Sequence, residues 1–471
     1  MKTKGLSLAS TLVIAAVGLY GCTEGDESVI NITSTTTGGG GGGGGTTSTC
    51  PAWAAARPID GDGNDVCQLP ASIMQSRSLT AGTVWYMEGT VTVGNGNQQM
   101  SVIEGTLESG DPVAAVTLSI EAGTEIKGQT GSFANLIITR GSQIQAIGTA
   151  SDPIIFSSDD DGYDGTGEWG GLILHGYAPH NECLTADMGA VACNVDSEGE
   201  SGFAGGYTPD DDSGTLNYVI VTEGGFEFAI GNEINGISMV GVGSETEMEF
   251  IQVNGNADDG VEYYGGNVNG KYIVLTGNLD DSVDWDEGWQ GNLQHVLVVQ
   301  SADTNGNVIE ADTEGTLDFL SKPTIANATF IGNGSQTTGA VFKATSGGFV
   351  HHSVFAFDVS LGATTCVDSA DAAMSGTELV FTNVVGACDT SGDVVLVPAP
   401  IADAAIDGDW ASQAAEAQTA TVGTLDIAAI NTTYAESVAD ETFFDATDYA
   451  GAVDPDGSDL WYAGWTLPGT L

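Results

Sequence analysis

Two consecutive segments of the chain, IQVNGNADDGVEYYGG at residues 251–266 and IVLTGNLDDSVDWDEG at residues 273–288, repeat one pattern 22 positions apart. Each has alternating apolar residues, then Gly-Asn, a pair of aspartates, and an acidic residue followed by an aromatic one. The aligned pairs are Ile251 with Ile273, Val253 with Leu275, Asn256 with Asn278, Asp258 with Asp280, Asp259 with Asp281, Glu262 with Asp284 and Tyr263 with Trp285. Repetition at such a short period is typical of solenoid proteins, in which equivalent residues of successive repeats stack.

Similar apolar runs recur elsewhere at steps of 18 to 23 residues. LSIEAGTEI at residues 118–126 aligns with LIITRGSQI at residues 136–144, a further step of 18 reaches Ile154 and Phe156, and a looser copy of the opening pattern occupies residues 296–312. Propeller blades repeat at about 40–45 residues, and leucine-rich repeats need a Leu-x-x-Leu-x-Leu pattern that we do not find here. The sequence therefore predicts an all-β fold, a right-handed parallel β-helix in which stacked apolar side chains form one core.

The first 21 residues have the features of a bacterial secretory signal. Lys2 and Lys4 precede the apolar stretch LSLASTLVIAAVGLY. LYGC at residues 19–22 is similar to the cleavage box of bacterial lipoproteins, which implies that Cys22 becomes the lipidated first residue. Thr23 at the next position implies sorting to the outer membrane. We expect a lipid anchor and a place on the cell surface, with the periplasmic face or ordinary secretion as the alternatives.

The rest of the chain divides by composition. Residues 22–49, rich in Gly, Thr and Ser, predict a flexible tether. Residues 50–400 hold the apolar runs of the β-helix, with an irregular stretch at about 160–215 that predicts an inserted loop. Residues 401–471 differ in character, with helix-like and aromatic stretches, and predict a C-terminal cap because a solenoid must cover its open end.

The chain is strongly acidic, with 64 Asp and Glu against 9 Lys and Arg and a formal net charge of −55. Such a surface repels nucleic acids and polyanionic substrates, so nucleic-acid partners are excluded and cations or neutral partners are favoured.

Six cysteines besides Cys22 fall into three local groups. Neighbours in sequence predict the disulfides Cys50–Cys67, Cys183–Cys193 and Cys366–Cys388 in an exported protein. None of the groups has the spacing of a zinc site.

Several stretches resemble, as a set, a family of secreted β-helix proteins, many of them lipoproteins, from marine and related Gram-negative bacteria. The stretches are EAGTEIKG, WGGLILHGYAP, DDGVEYYGG, LDDSVDWDEGW and the closing FFDATDYAGA with WYAGWT. The similarity spans most of residues 80–465. It implies the fold and the location and carries no reaction with it.

The repeated aspartates have three interpretations. If coils are stacked like neighbouring strands, roughly 4.8 Å apart, Asp258 and Asp259 lie one coil from Asp280 and Asp281, and their mutual repulsion must be offset. Turn formation, in which Asn and Asp bond their own backbone at corners, explains Asn256, Asn278 and one aspartate of each pair.

Calcium binding is the second interpretation, because Ca²⁺ takes 6–8 oxygen ligands. Ca²⁺ is the one cofactor that the sequence suggests, and no organic cofactor is expected. The candidate ligands, in loops that alternate Asp with short residues, are Asp60, Asp62, Asp65, Asp159, Asp160, Asp161, Asp258, Asp280, Asp454, Asp456 and Asp459.

Catalysis is the third interpretation, because β-helix glycosidases use paired aspartates as general acid and base. The candidates are Asp258, Asp259, Asp280, Asp281 and Asp284. The sequence lacks Gly-His-Gly and a downstream Arg-x-Lys, and Lys271 is interpreted as a counter-charge. Two carboxylates roughly 5–9.5 Å apart in a groove would indicate an enzyme, and tighter clusters would indicate a metal or turn role.

Aromatic residues gather near these acids: Tyr263, Tyr264, Trp285 and Trp289. Exposed, they could stack on sugar rings, and buried, they pack the coil. The leading hypothesis is a non-enzymatic, cation-stabilised surface lipoprotein that binds a neutral glycan, a partner protein or metal ions. The alternative is a polysaccharide-degrading glycosidase or lyase that uses the paired aspartates.

Overall fold

The computed structural model of the chain describes residues 48–183, 190–197, 199–228, 233–314, 319–336, 338–357, 365–369, 379–387, 443–454 and 460–471. The signal, Cys22 and most of the tether lie outside these described residues. Of the described tether residues, Ser48 accepts a hydrogen bond from the Val66 amide and Thr49 donates one to Asp65, so both already belong to the fold. The described residues contain no helix that is both long enough and apolar enough for a membrane span.

Within the described residues the strands form a 17-stranded sheet, a 10-stranded sheet and one hairpin. The 17-stranded sheet contains β1 (Ala55–Ala56), β2 (Asp65–Gln68), β4 (Arg77–Leu79), β5 (Thr83–Met87), β7 (Thr117–Ile120), β8 (Glu125–Gly128), β10 (Gln143–Ile147), β11 (Ile154–Ser158), β15 (Gly214–Thr222), β17 (Glu247–Asn254), β19 (Gly270–Thr276), β21 (Asn292–Val299), β23 (Thr324–Gly332), β25 (Gly348–His351), β26 (Val354–Phe357), β28 (Leu379–Thr382) and β29 (Val385–Ala387). The 10-stranded sheet contains β3 (Ser72–Ile73), β6 (Val91–Val93), β9 (Leu136–Ile138), β12 (Leu172–His175), β16 (Ile237–Val240), β18 (Val261–Tyr264), β20 (Val283–Asp286), β22 (Ile309–Ala311), β24 (Thr338–Phe342) and β27 (Thr365–Ser369). The hairpin is β13 (Val195–Ser197) with β14 (Gly202–Ala204), and a single 3₁₀ turn spans Asn181–Cys183.

The two large sheets are the faces of a right-handed parallel β-helix. Their pairings are parallel, apart from β1 with β2. In β17 and β19 Ile251 lies opposite Ile273, and in β18 and β20 Tyr263 lies opposite Trp285. The 22-residue step predicted from the sequence is confirmed, and the next coil places Val296 opposite Ile273.

The 18-residue step predicted for the N-terminal coils is wrong. Leu118 in β7 lies opposite Ile144 in β10, and Ile126 in β8 lies opposite Phe156 in β11. Residue 136 belongs to β9, on the other sheet. The 18-residue spacing therefore separates successive faces of the winding chain, because every face shows the same apolar alternation.

One hydrophobic core runs through the interior of the coil, from Cys67 to Val384 among the described residues. Strand alternation explains its composition, because successive side chains point to opposite faces. In β20, Val283 and Trp285 are buried in this core, while Asp284 and Asp286 point away from it.

A ladder of residues with left-handed backbone marks one corner of the coil. Tyr218, Phe250, Tyr272, His295 and Asn327 occupy equivalent positions in five successive coils, with φ between 50° and 59°. This conformation is uncommon for residues other than glycine, and it bends each long strand at the same place. The first four rings stack, with centroids 4.3, 4.5 and 4.9 Å apart.

The described part of the C-terminal tail lies along this corner. Trp465 packs edge-on against Tyr218 and Phe250, with centroids 5.7 and 6.1 Å away, and Trp461 contacts Tyr272. These residues cover the side of the coil. Residues 401–442 and 455–459 of the predicted cap lie outside the described residues.

The predicted loop at about 160–215 contains one strand of the coil, because β12 pairs with β9 and β16. The chain leaves the coil after β12, forms the hairpin, and returns at β15. The predicted disulfides Cys50–Cys67 and Cys183–Cys193 are present. Cys366 is disulfide-bonded, but its predicted partner Cys388 lies outside the described residues.

Candidate functional site

Seven carboxylates form an acidic column on the outer side of the 10-stranded sheet and in the turns that lead into it. The acidic column consists of Asp258, Asp259, Glu262, Asp280, Asp281, Asp284 and Glu310. It lies at the coils where the sequence repeat is clearest, and its members come from three successive coils.

The strand residues of the column are aligned by register. Glu262 in β18 lies opposite Asp284 in β20, and Asp284 lies opposite Glu310 in β22. Their neighbours along each strand, such as Val283 and Trp285, fill the core. The alternation that buries the apolar residues therefore places three carboxylates side by side outside the core.

The turn residues of the column are held by the backbone of the next coil. Asp259 accepts a hydrogen bond from the Asp281 amide at 2.9 Å, and Asp281 accepts one from the Asn307 amide. Asn256 donates to the carbonyls of Ile234 and Asp259. The turn role predicted for Asn256 and for one aspartate of each pair is thus supported by these contacts.

Carboxylate oxygens in the column lie close together. Three groups each bring one oxygen per residue within 4.8 Å of one another: Asp258 with Asp259 and Asp280, Asp259 with Glu262 and Asp284, and Asp281 with Asp284 and Glu310. This separation is shorter than the roughly 5–9.5 Å between the two carboxyl groups of glycosidases. The spacing is therefore the tight one expected of a metal or turn role.

Burial and mutual repulsion disfavour the ionised form of these acids. Burial, reinforced by Asp284 and Glu262, raises the pKa of Asp259 well above its usual value. Burial and the charges of Asp281 and Glu310 do the same to the pKa of Asp284. Burial raises the pKa of Asp281 to about 8, with Glu310 contributing. At neutral pH the column therefore favours bound protons or bound cations.

Lys343 is the basic residue that contacts the column. Its Nζ lies 2.9 Å from a Glu310 carboxylate oxygen and 3.8 Å from one of Asp312. Lys271, interpreted from the sequence as a counter-charge in the same coil, instead pairs with Asp445 of the C-terminal tail at 2.9 Å. Its side chain is therefore engaged at the 17-stranded sheet, away from the column.

Asp284 is the central member of the column. It is 9% exposed, and its Oδ1 has no hydrogen-bond partner among the described residues. A buried polar atom without a partner is costly, and a hard divalent cation bound by oxygens would satisfy it. The donor set fits Ca²⁺, Mg²⁺ or Mn²⁺ better than zinc, which prefers nitrogen and sulfur.

The other loops proposed for calcium do not form such clusters. Asp60 Oδ1 accepts the amides of Asp62 and Asn64 as a turn residue, while Asp159 accepts the Thr130 amide and Asp160 that of Asp161. None of the three-ligand groups in the described residues includes Asp60, Asp62, Asp65, Asp159, Asp160, Asp161 or Asp454. Asp456 and Asp459 lie outside the described residues.

The aromatic residues proposed as a sugar platform are packing residues. Tyr263, Trp285 and Trp289 are fully buried, and Tyr263 stacks on Trp289 with centroids 4.0 Å apart. Tyr264 is half-buried and donates a hydrogen bond to Glu262. The glycan-stacking interpretation is therefore wrong for the three buried rings, because ligand cannot reach them.

Sequence reasoning missed two features of the molecule. Glu310 completes the column, and aligning Ile309-Glu310 with Val283-Asp284 would have found it. His175 lies within 3.1 Å of the hydroxyls of Ser197 and Ser201, but all three are buried, so this group is structural.

Comparison with known proteins gives one match. A family model described as a pectate-lyase like beta helix domain matches residues 112–466. No curated protein and no solved structure shows significant similarity to the chain. This family fits either a binding or structural role or a polysaccharide-degrading one.

Proposed function

The chain belongs to the family of pectate-lyase like beta helix domains, and we infer that it is a binding or structural member whose acidic column holds divalent cations. Ca²⁺ is the first candidate, because the ligands are all oxygens and lie on coils whose spacing leaves room for a large ion. The bound cations would hold neighbouring coils together, since carboxylates of adjacent coils would share them.

The observation that carries this proposal is the buried, unpartnered Oδ1 of Asp284 within two groups of converging carboxylates. Ionised acids packed this closely need an opposite charge, and the one lysine at the column, Lys343, already contacts Glu310. Cations from the medium supply the remaining positive charge.

An enzymatic role receives less support from the same residues. Asp259 and Asp281 are oriented by backbone amides of the following coil, so neither is poised as a general acid facing a substrate. The column has no arginine, and Lys343 is paired with Glu310, so a β-helix lyase would lack an unengaged base here. We therefore favour binding over polysaccharide degradation.

We place the protein at the cell surface through a lipid on Cys22. The apolar signal and the LYGC box support this location, and the formal charge of −55 suits an extracellular medium that supplies cations. Replacing Cys22 with Ala should release the protein from the membrane fraction, and retention of the variant there would contradict the anchor.

Thermal unfolding of the full chain tests the cation proposal. The unfolding midpoint should rise when CaCl₂ is added to chelator-treated protein and fall again with EGTA. NaCl at matched ionic strength is the control, because salt also screens repulsion. A midpoint that ignores CaCl₂, or that rises equally with NaCl, would remove the proposal.

A further inference from the structure

We propose that Asp284 bridges two divalent cations, one held with Asp259 and Glu262 and the other with Asp281 and Glu310. The inference rests on the cation binding proposed above and adds the number of ions and the role of each ligand. It follows from the two carboxylate groups of the column that share Asp284 as their common member.

The position of Asp284 supports a bridging role. Its strand neighbours on either side, Glu262 and Glu310, lie one coil away in opposite directions. The two turn aspartates, Asp259 and Asp281, are likewise one coil apart. Each group therefore combines two strand carboxylates with one from a turn, and the second group repeats the first one coil further along.

The orphan oxygen is a second, independent sign of a ligand. Asp284 Oδ1 is buried and has no hydrogen-bond donor among the described residues. Asp259 and Asp281, in contrast, each spend one oxygen on a backbone amide, which fixes the orientation of the carboxylate. Hydrogen bonds of this kind commonly orient metal ligands.

Charge balance favours two ions over one. The five carboxylates carry a formal charge of −5 when ionised, and Lys343, 2.9 Å from Glu310, offsets one of these charges. Two divalent cations neutralise the remaining four. A single divalent cation would leave two excess negative charges among acids of which Asp259 and Asp284 are more than nine-tenths buried.

Calorimetric titration of the chelator-treated full chain with CaCl₂ tests the stoichiometry. We expect Asp284→Asn to bind two ions fewer than the wild type, and Glu262→Gln and Glu310→Gln to bind one fewer each. Asp286→Asn is the matched control, because it lies on the same strand and faces the same side but belongs to neither group. It should retain the wild-type number.

The double variant Glu262→Gln/Glu310→Gln provides a second route if Asp284→Asn does not fold, and it should also lose two ions. Loss of the same single ion in all three single variants would overturn the bridged pair while leaving cation binding intact. Unchanged stoichiometry in Asp284→Asn would overturn it as well. A wild-type chain that binds no Ca²⁺ would overturn both the pair and the proposed function.

Discussion

Neutralising Asp284 should have opposite consequences in the presence and absence of calcium. Two unit charges 4.8 Å apart repel by about 3.5 kcal/mol at an effective dielectric constant of about 20. Without a divalent cation, Asp284→Asn removes such repulsion and its amide can donate to neighbouring carboxylates. We therefore expect the variant to be more stable than the wild type in EGTA, by on the order of 3 kcal/mol.

Calcium should narrow or reverse this difference. A ligand at 100 times its dissociation constant stabilises the folded state by about 2.7 kcal/mol per site, and the variant forfeits this gain because Asp284 belongs to both ligand groups. Urea unfolding of both proteins in CaCl₂ and in EGTA measures the four free energies, and urea is preferable because guanidinium is a salt and would screen the charges.

The result that would refute this reasoning is a constant difference between variant and wild type in the two buffers. Asp286→Asn is the matched control, since it removes a charge from the same strand without touching either group. For that variant we expect the difference from the wild type to be nearly the same with and without calcium.

Further predictions concern the rest of the coil. Trp465→Ala should weaken the docking of residues 460–471 by about 3–5 kcal/mol, because the buried ring packs on Tyr218, and unchanged amide exchange in that segment would contradict this. Asn256→Ala should cost about 1–3 kcal/mol for each of two buried carbonyls that lose their donor, and urea unfolding with no measurable loss would be inconsistent with it. Burial lowers the pKa of His175 from 6.5 to about 3, so the unfolded chain binds a proton below pH 6.5 that the folded chain does not. Stability present above pH 6.5 should therefore fall as the pH drops toward 3, and an NMR titration of the folded ring with a midpoint near 6.5 would rule this out.

The repeat at 251–288 was sufficient to predict the fold and much of the site. Alternation fixes which face each side chain takes, and a shared 22-residue step fixes the register, so the alignment of Glu262 with Asp284 followed from the sequence. Glu310 was missed because the next coil inserts extra residues in the turn before β22. Equal spacing of faces and coils likewise misled the reading of residues 118–144.

Other features carry no local signal. The aromatic rings Tyr263 and Trp285 share the parity of the core residues Val261 and Val283, which places them inside, but Trp289 lies beyond the strand, where alternation does not apply. The docking of Trp465 on a corner about 200 residues earlier in the chain depends on the left-handed ladder. That ladder exists only when the coils are stacked.

Anomalous diffraction from crystals of the full chain grown with Mn²⁺ tests the central claim most directly. Mn²⁺ is suited to the all-oxygen ligand set and gives an anomalous signal that identifies the metal. We predict two peaks flanking the Asp284 carboxylate, one on the side of Glu262 and one on the side of Glu310. A map with no anomalous density at Asp284 would contradict the account.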